Sequence, residues 1–180
     1  MKIKLLSLAL ALMVGLLACG SREGKARLLY NEAITAERNG KPGEYENLLE
    51  KIVEEYGSTQ VAIEANKQLT VIRRGRRTLR TAAAAQIGSF QMALRIYKLD
   101  TSTYPTTEQG LRALREKPPG VAFWDGPYLP QDAPDDPWES PYDYEFPGKH
   151  SDEPDIVSYG ADGRPGGAGE DADIVSWSSP

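Results

Sequence analysis

Residues 160–177 read GADGRPGGAGEDADIVSW, and in this stretch Asp162, Glu170, Asp171 and Asp173 are set among Gly160, Gly163, Gly166, Gly167 and Gly169. Two carboxylates roughly 5 Å apart repel by about 3 kcal/mol at an effective dielectric of about 20. Crowding that charge on a flexible backbone therefore calls for an offset. A hard cation supplies one, because calcium takes carboxylate and carbonyl oxygens and glycine lets backbone carbonyls turn inward. On residue types alone, a solvated acidic loop is the alternative.

Other candidate chemistry is sparse. His150, the only histidine, stands in PGKHSDEP, where Ser151 or Asp152 could partner it as a general base. A turn histidine among charged and polar neighbours is ordinarily exposed and idle. The single cysteine leaves nothing for zinc or for a cysteine nucleophile in the body of the chain. Asp135 and Asp136 lie in DAPDDPW, a proline-rich loop suited to turns more than to a preorganised acid and base. The expectation is no catalytic residue and no enzyme.

Charge narrows the partners. The net charge of -5 divides unevenly: residues 20–118 carry 17 basic and 12 acidic side chains, residues 119–180 carry 2 and 14. The acidic half argues against nucleic acid, since phosphate binding needs the opposite sign. Twelve of the 13 prolines lie at or after Pro105, which places the loop-rich structure in that same half.

The elements that would position the acidic stretch come before and around it. Residues 26–39 are helical in pattern, and GKPG stops them. Tyr45, Leu48, Leu49, Ile52, Val53 and Tyr56 then mark one apolar helix face that Gly57 ends, after which Ser58 can cap a third helix carrying Val61, Ala62, Ala65, Leu69 and Ile72 inward. Arg73, Arg74, Arg76, Arg77 and Arg80 form a basic patch with no assigned role. Residues 82–99 are helical again, with Ile87, Phe90, Leu94 and Tyr97 as the buried stripe. This helix can continue the previous one, with Gly75 and Gly88 as weak points. Thr106 or Thr107 caps a short helix from about Glu108. Three strand candidates follow: the alternation of Tyr142, Tyr144 and Phe146, then DIVSY at 155–159 and DIVSW at 173–177. A long helix beside a small antiparallel sheet is an α+β layout.

The N-terminus has Lys2 and Lys4, an apolar run over residues 5–17, then small residues and Cys19. These are the regions of a secretory signal peptide over residues 1–18, too short to span a bilayer. Leu16-Leu17-Ala18-Cys19 resembles the bacterial lipobox. That resemblance implies cleavage before Cys19, acylation of it, and a lipoprotein held on a membrane facing the periplasm by its acyl chains. Gly20, in place of the aspartate that commonly signals inner-membrane retention, favours the outer membrane by the same analogy. Residues 43–69 resemble one tetratricopeptide-type repeat, within a helical segment over 19–81. A plain helical hairpin fits equally well.

The order LRIYKLDTSTYPTTEQGLRAL, DPWESPYDYEFPGKHSDEPDIVSYGADG, GEDADIVSW closely resembles the globular domain of the major pseudopilins of type II secretion systems, over about residues 82–177 of an 82–180 domain. The resemblance implies a helix on an antiparallel sheet, a calcium ion on the loop before the last strand, and secretion-system or pseudopilus components as partners. Carried over, the calcium carboxylates are Asp162, Asp171 and Asp173, completed by backbone carbonyls near Ser158 and in the glycine segment, with Glu170 facing solvent. Three carboxylates separated by glycines can converge on one cation and cancel one another's repulsion. Residues 166–171 also match the opening of a calcium-binding nonapeptide repeat, but Asp173 stands where that repeat needs a large apolar residue. The leader and apolar stalk of a pseudopilin have no counterpart in the sequence. The expectation is thus a lipid-anchored, pseudopilin-like accessory protein and not a standard filament subunit. The alternative is a periplasmic lipoprotein binding module or scaffold unrelated to secretion.

Overall fold

Helix α1 (Arg22–Arg38) starts where the Ser21 hydroxyl accepts the Gly24 amide at 3.0 Å, satisfying one of the donors that a helix start leaves open. The structure is a computed structural model describing residues 20–169 and 171–178. The signal peptide expected over residues 1–18, the acylated Cys19 and the solvent-facing Glu170 lie outside the described residues. Tertiary contacts divide the chain into two units, Met1–Gly75 and Arg76–Pro180.

The first unit is helical. Gly40, at φ +69°, turns the chain from α1 into α2 (Pro42–Tyr56), which has proline in its first turn, where a missing amide hydrogen costs nothing. Tyr45, Leu49 and Ile52 of α2 are buried against Ala26, Ala33 and Ala36 of α1, and Leu48, Val53 and Tyr56 pack at the edge. Val61, Ala62, Ala65 and Leu69 complete this core from the start of α3 (Gln60–Thr101). The cap of α3 is Thr59 and not Ser58: its hydroxyl accepts the Ala62 amide at 3.1 Å and donates to the Tyr56 carbonyl at 2.7 Å. The Glu23 carboxylate also accepts the Gln60 amide at 3.0 Å, a favourable place for negative charge.

Helix α3 runs without a break through Gly75 and Gly88 for 42 residues. In the second unit it buries Ala83, Ile87, Phe90, Ala93, Leu94 and Tyr97, spaced by three and four residues. The short helix expected from Glu108 is a 3₁₀ turn at Leu111–Leu114 that buries Leu111, Ala113 and Leu114. Thr106 makes the turn before it, its hydroxyl accepting the Gln109 amide at 3.3 Å.

Among the described residues the sheet has three antiparallel strands in chain order, β1 (Asp143–Glu145), β2 (Asp155–Ser158) and β3 (Ile174–Val175). Tyr144 pairs with Ile156, and Val157 pairs with Val175. Every residue of the central β2 is buried, and both its edges are paired. Tyr144, Ile156 and Ile174 face the α3 stripe, with the edge-to-face rings of Phe90 and Tyr142 (5.2 Å apart) and of Tyr97 and Tyr128 (5.5 Å) between helix and loops. Full burial stabilises by about 1.5–3 kcal/mol for each large apolar side chain. The result is the expected α+β layout. Among the described residues no helix is long and apolar enough to cross a membrane.

Candidate functional site

The acidic loop leaves β2 at Ser158 and returns at β3, so its two ends are fixed by neighbouring strands. A buried carboxylate anchors the exit. Asp136 Oδ1 accepts the amides of Trp138 (3.0 Å) and Ser140 (2.9 Å), and its Oδ2 accepts the hydroxyl of the fully buried Ser158 at 2.5 Å. These bonds staple the proline-rich loop to β2, whose chain then bends through a 3₁₀ turn at Gly160–Asp162 into left-handed Gly163 (φ +63°).

Beyond that turn the loop closes on itself. Asp162 is exposed and accepts the Arg164 amide at 3.1 Å. The Gly166 amide donates to both oxygens of Asp173, at 3.1 and 3.0 Å. Gly167, at φ +82°, lies against the backbone of Asp171 so closely that a Cβ there would stand 2.4 Å from the Asp171 carbonyl oxygen. Only glycine fits such an approach. Asp171 and Asp173 are half-buried, and Ala172 between them accepts a hydrogen bond from Arg80 at 2.5 Å. Asp162, Asp171 and Asp173 thus share one loop, but among the described residues no three His, Cys, Asp or Glu side chains gather into a metal-holding cluster. The donor set nonetheless has the chemistry of a hard-cation site: all the side-chain donors are carboxylates, interleaved with glycines at positive φ.

On the neighbouring face of the sheet is a cleft of about 190 Å³ whose lining includes Asp143, Glu145, His150, Tyr159, Asp173 and Trp177. The partner of His150 is neither Ser151 nor Asp152 but the buried Asp155, with Nδ1 and Oδ2 2.8 Å apart. Register explains this, because Asp155 is the first residue of β2 and closes the 145–155 turn, also accepting the Lys149 amide at 2.8 Å. The Ser151 hydroxyl is engaged in its own turn, accepting the Glu153 amide at 3.2 Å. Tyr159 donates to Asp143 at 2.6 Å. That bond first, then burial and the charges of Asp143, Asp173 and Glu145, push the Tyr159 phenol up to about 12.

Two residues with consequences for the loop carry no distinctive signal in the sequence: Asp136, which reads as a turn former, and Arg80, which reads as one member of a basic patch. Their partners lie 22 and 92 residues away, and no local pattern points to them.

Residues 70–177 match the family model described as type II secretion system (T2SS), protein G. The chain is 43% identical over 100 residues to the type II secretion system core protein G of Pseudomonas aeruginosa, a match covering 54% of this chain and 70% of that one. It is 43% identical over 98 residues to the protein of the same description from Vibrio cholerae, covering 53% of this chain and 66% of the relative. Among solved structures, the major pseudopilin from the type 2 secretion system of enterohaemorrhagic Escherichia coli is 39% identical, with a TM-score of 0.49, covering 58% of this chain and 90% of that one.

Proposed function

The chain belongs to the type II secretion system protein G family, that of the major pseudopilin, and so to the structural parts of that machinery; from this premise we propose that it is a lipid-anchored, calcium-binding accessory of a type II secretion system. The observation that carries the reading is the acidic loop between β2 and β3, which sets Asp162, Asp171 and Asp173 among glycines at positive φ on the domain that the family match covers. Asp162, Asp171 and Asp173 would hold the calcium, which when bound neutralises their mutual repulsion. The chain's own part is to present those carboxylates: Asp136 fixes the loop's exit through Ser158, and the pairing of β3 with β2 fixes its return. Cys19 would carry the acyl chains that hold the protein to a membrane facing the periplasm, the outer one by analogy. Residues 19–81 would be a tetratricopeptide-like segment joined to the pseudopilin-like domain of residues 82–180, and the partners would be pseudopilus or other secretion-system components.

Titration calorimetry and thermal melts of the mature protein, with calcium or with chelator, test the cation. Binding to the folded state alone adds about 2.7 kcal/mol when free calcium is one hundred times the dissociation constant. Equal melting temperatures and no binding heat would sink it. Cys19→Ser should abolish labelling by radioactive lipid and release the protein from membranes. A capture from solubilised membranes that returns no secretion-system component would favour a binding module unrelated to secretion.

A further inference from the structure

The strand that closes the acidic loop is only two residues long, and Ser176 extends its hold on β2 by donating its amide to the Ile156 carbonyl at 3.0 Å and accepting the Ile156 amide at its hydroxyl at 2.9 Å. Two side chains of α3 add to this hold, and one of them reaches the side of β3 that faces the loop. Arg80 Nη1 donates to the Ala172 carbonyl at 2.5 Å, and Gln91 Nε2 donates to the Ser176 carbonyl at 3.0 Å, one before β3 and one after it. Positions eleven apart are three helical turns apart and share a face. That face is the one whose Ala83, Ile87 and Phe90 enter the core, so the returning chain is tethered to the most firmly packed side of α3.

Ala172 stands between Asp171 and Asp173, so whatever fixes its peptide group fixes the backbone from which both carboxylates project. The geometry points to Arg80 as a positioning residue of the cation loop, acting through the Ala172 carbonyl and touching no cation itself. This assignment rests on the calcium reading of the same loop. Charge and hydrogen bonding pull in opposite directions here. A guanidinium near the carboxylates repels an incoming cation and would weaken binding. Holding the ligand backbone in place strengthens it, and residues that orient metal ligands from behind typically contribute about 10- to 100-fold in affinity.

Three proteins decide it: the mature wild type, Arg80→Met, which keeps the apolar stem but no donor, and Arg80→Lys, which keeps charge and a donor. Calcium affinity is read by calorimetry, and the tether by amide hydrogen exchange of residues 172–177 in chelator. Arg80→Met should weaken calcium binding by about tenfold and speed exchange in that segment, while Arg80→Lys restores most of both. Tighter calcium binding by Arg80→Met, or exchange unchanged from wild type, overturns the assignment. No binding heat from the wild type overturns the calcium reading instead, and the two failures are distinct because the exchange is measured without calcium.

Discussion

The imidazole of His150 lies flat on the indole of Trp177, with ring centroids 3.7 Å apart and planes inclined by 6°. His150 belongs to the turn between β1 and β2, Trp177 follows β3, and the buried Asp155 holds the imidazole through Nδ1. The stack therefore covers one face of an indole that is still 38% exposed. His150→Ala should uncover that face, shift Trp177 emission to longer wavelength and make it easier to quench with acrylamide. The contribution of Trp177 is isolated by subtracting the spectrum of the matching Trp177→Phe protein. Identical emission with and without His150 would show that the ring does not shield the indole in solution.

Asp136 should matter more than its place in a proline-rich loop suggests. Its carboxylate is 4% exposed and receives two amides and the Ser158 hydroxyl, all of which lose their partner in Asp136→Ala. The Ser158 hydroxyl is buried and the two amides are half-buried, so losing these bonds to a carboxylate should cost about 1.5–3 kcal/mol. Asp136→Asn keeps one acceptor oxygen and should lose less. Urea unfolding of the two variants checks the order, and an alanine variant as stable as the parent would mean that the staple contributes nothing.

Alkaline pH should weaken the second unit in a definite window. The Tyr159 phenol is raised from 10.0 to about 12, chiefly by the bond it donates to Asp143, so the folded state keeps the proton that the unfolded chain gives up. Its contribution is fully present below pH 10 and is lost as the pH rises towards 12. Burial likewise raises Tyr128, Tyr142 and Tyr144, so the decline is shared. Tyr159→Phe should fall less steeply than wild type across that window in melts at stepped pH. Parallel curves would remove Tyr159 from the account.

What could be read in advance divides by the range of the interaction. The stripe of Ile87, Phe90, Leu94 and Tyr97 was legible because its period is that of a helix and its burial follows from the period. The continuity of α3 was half legible. Gly75 and Gly88 looked like weak points, but an interior glycine costs only about 1 kcal/mol, which a helix packed on both sides of it absorbs. Thr59 could not be told from Ser58 as a cap, since adjacent hydroxyls carry the same local signal. Thr107 reads as a candidate cap, yet its hydroxyl donates to the Phe146 carbonyl at 3.1 Å and accepts the Phe146 amide at 3.0 Å, across 39 residues. The acidic loop was legible as composition, because glycines and carboxylates announce themselves. The separation of its carboxylates depends on which glycine turns where, and on Asp136 and Arg80, whose reach across the fold leaves no trace in neighbouring residues.

The glycines of that loop offer the last prediction, because two of them share a positive φ but differ in what an added side chain would meet. Gly167 and Gly169 both have positive φ, +82° and +66°, so alanine at either is strained. Forcing an L residue into the left-handed region costs about 1–2 kcal/mol. At Gly169, among the described residues and apart from its chain neighbours, nothing lies within 4 Å of the added Cβ, so backbone strain is the expected effect. At Gly167 the Cβ would meet the Asp171 carbonyl oxygen at 2.4 Å and the Asp171 Cβ at 2.9 Å, so the backbone of a proposed calcium ligand has to move. Gly169→Ala should therefore lower the melting temperature slightly and leave calcium affinity close to wild type. Gly167→Ala should lower the melting temperature further and weaken calcium binding by about tenfold or more, as displacing a ligand's support does. Calorimetry and melts on the pair give the comparison, and equal losses in the two variants would mean that the contact between Gly167 and Asp171 does not shape the site.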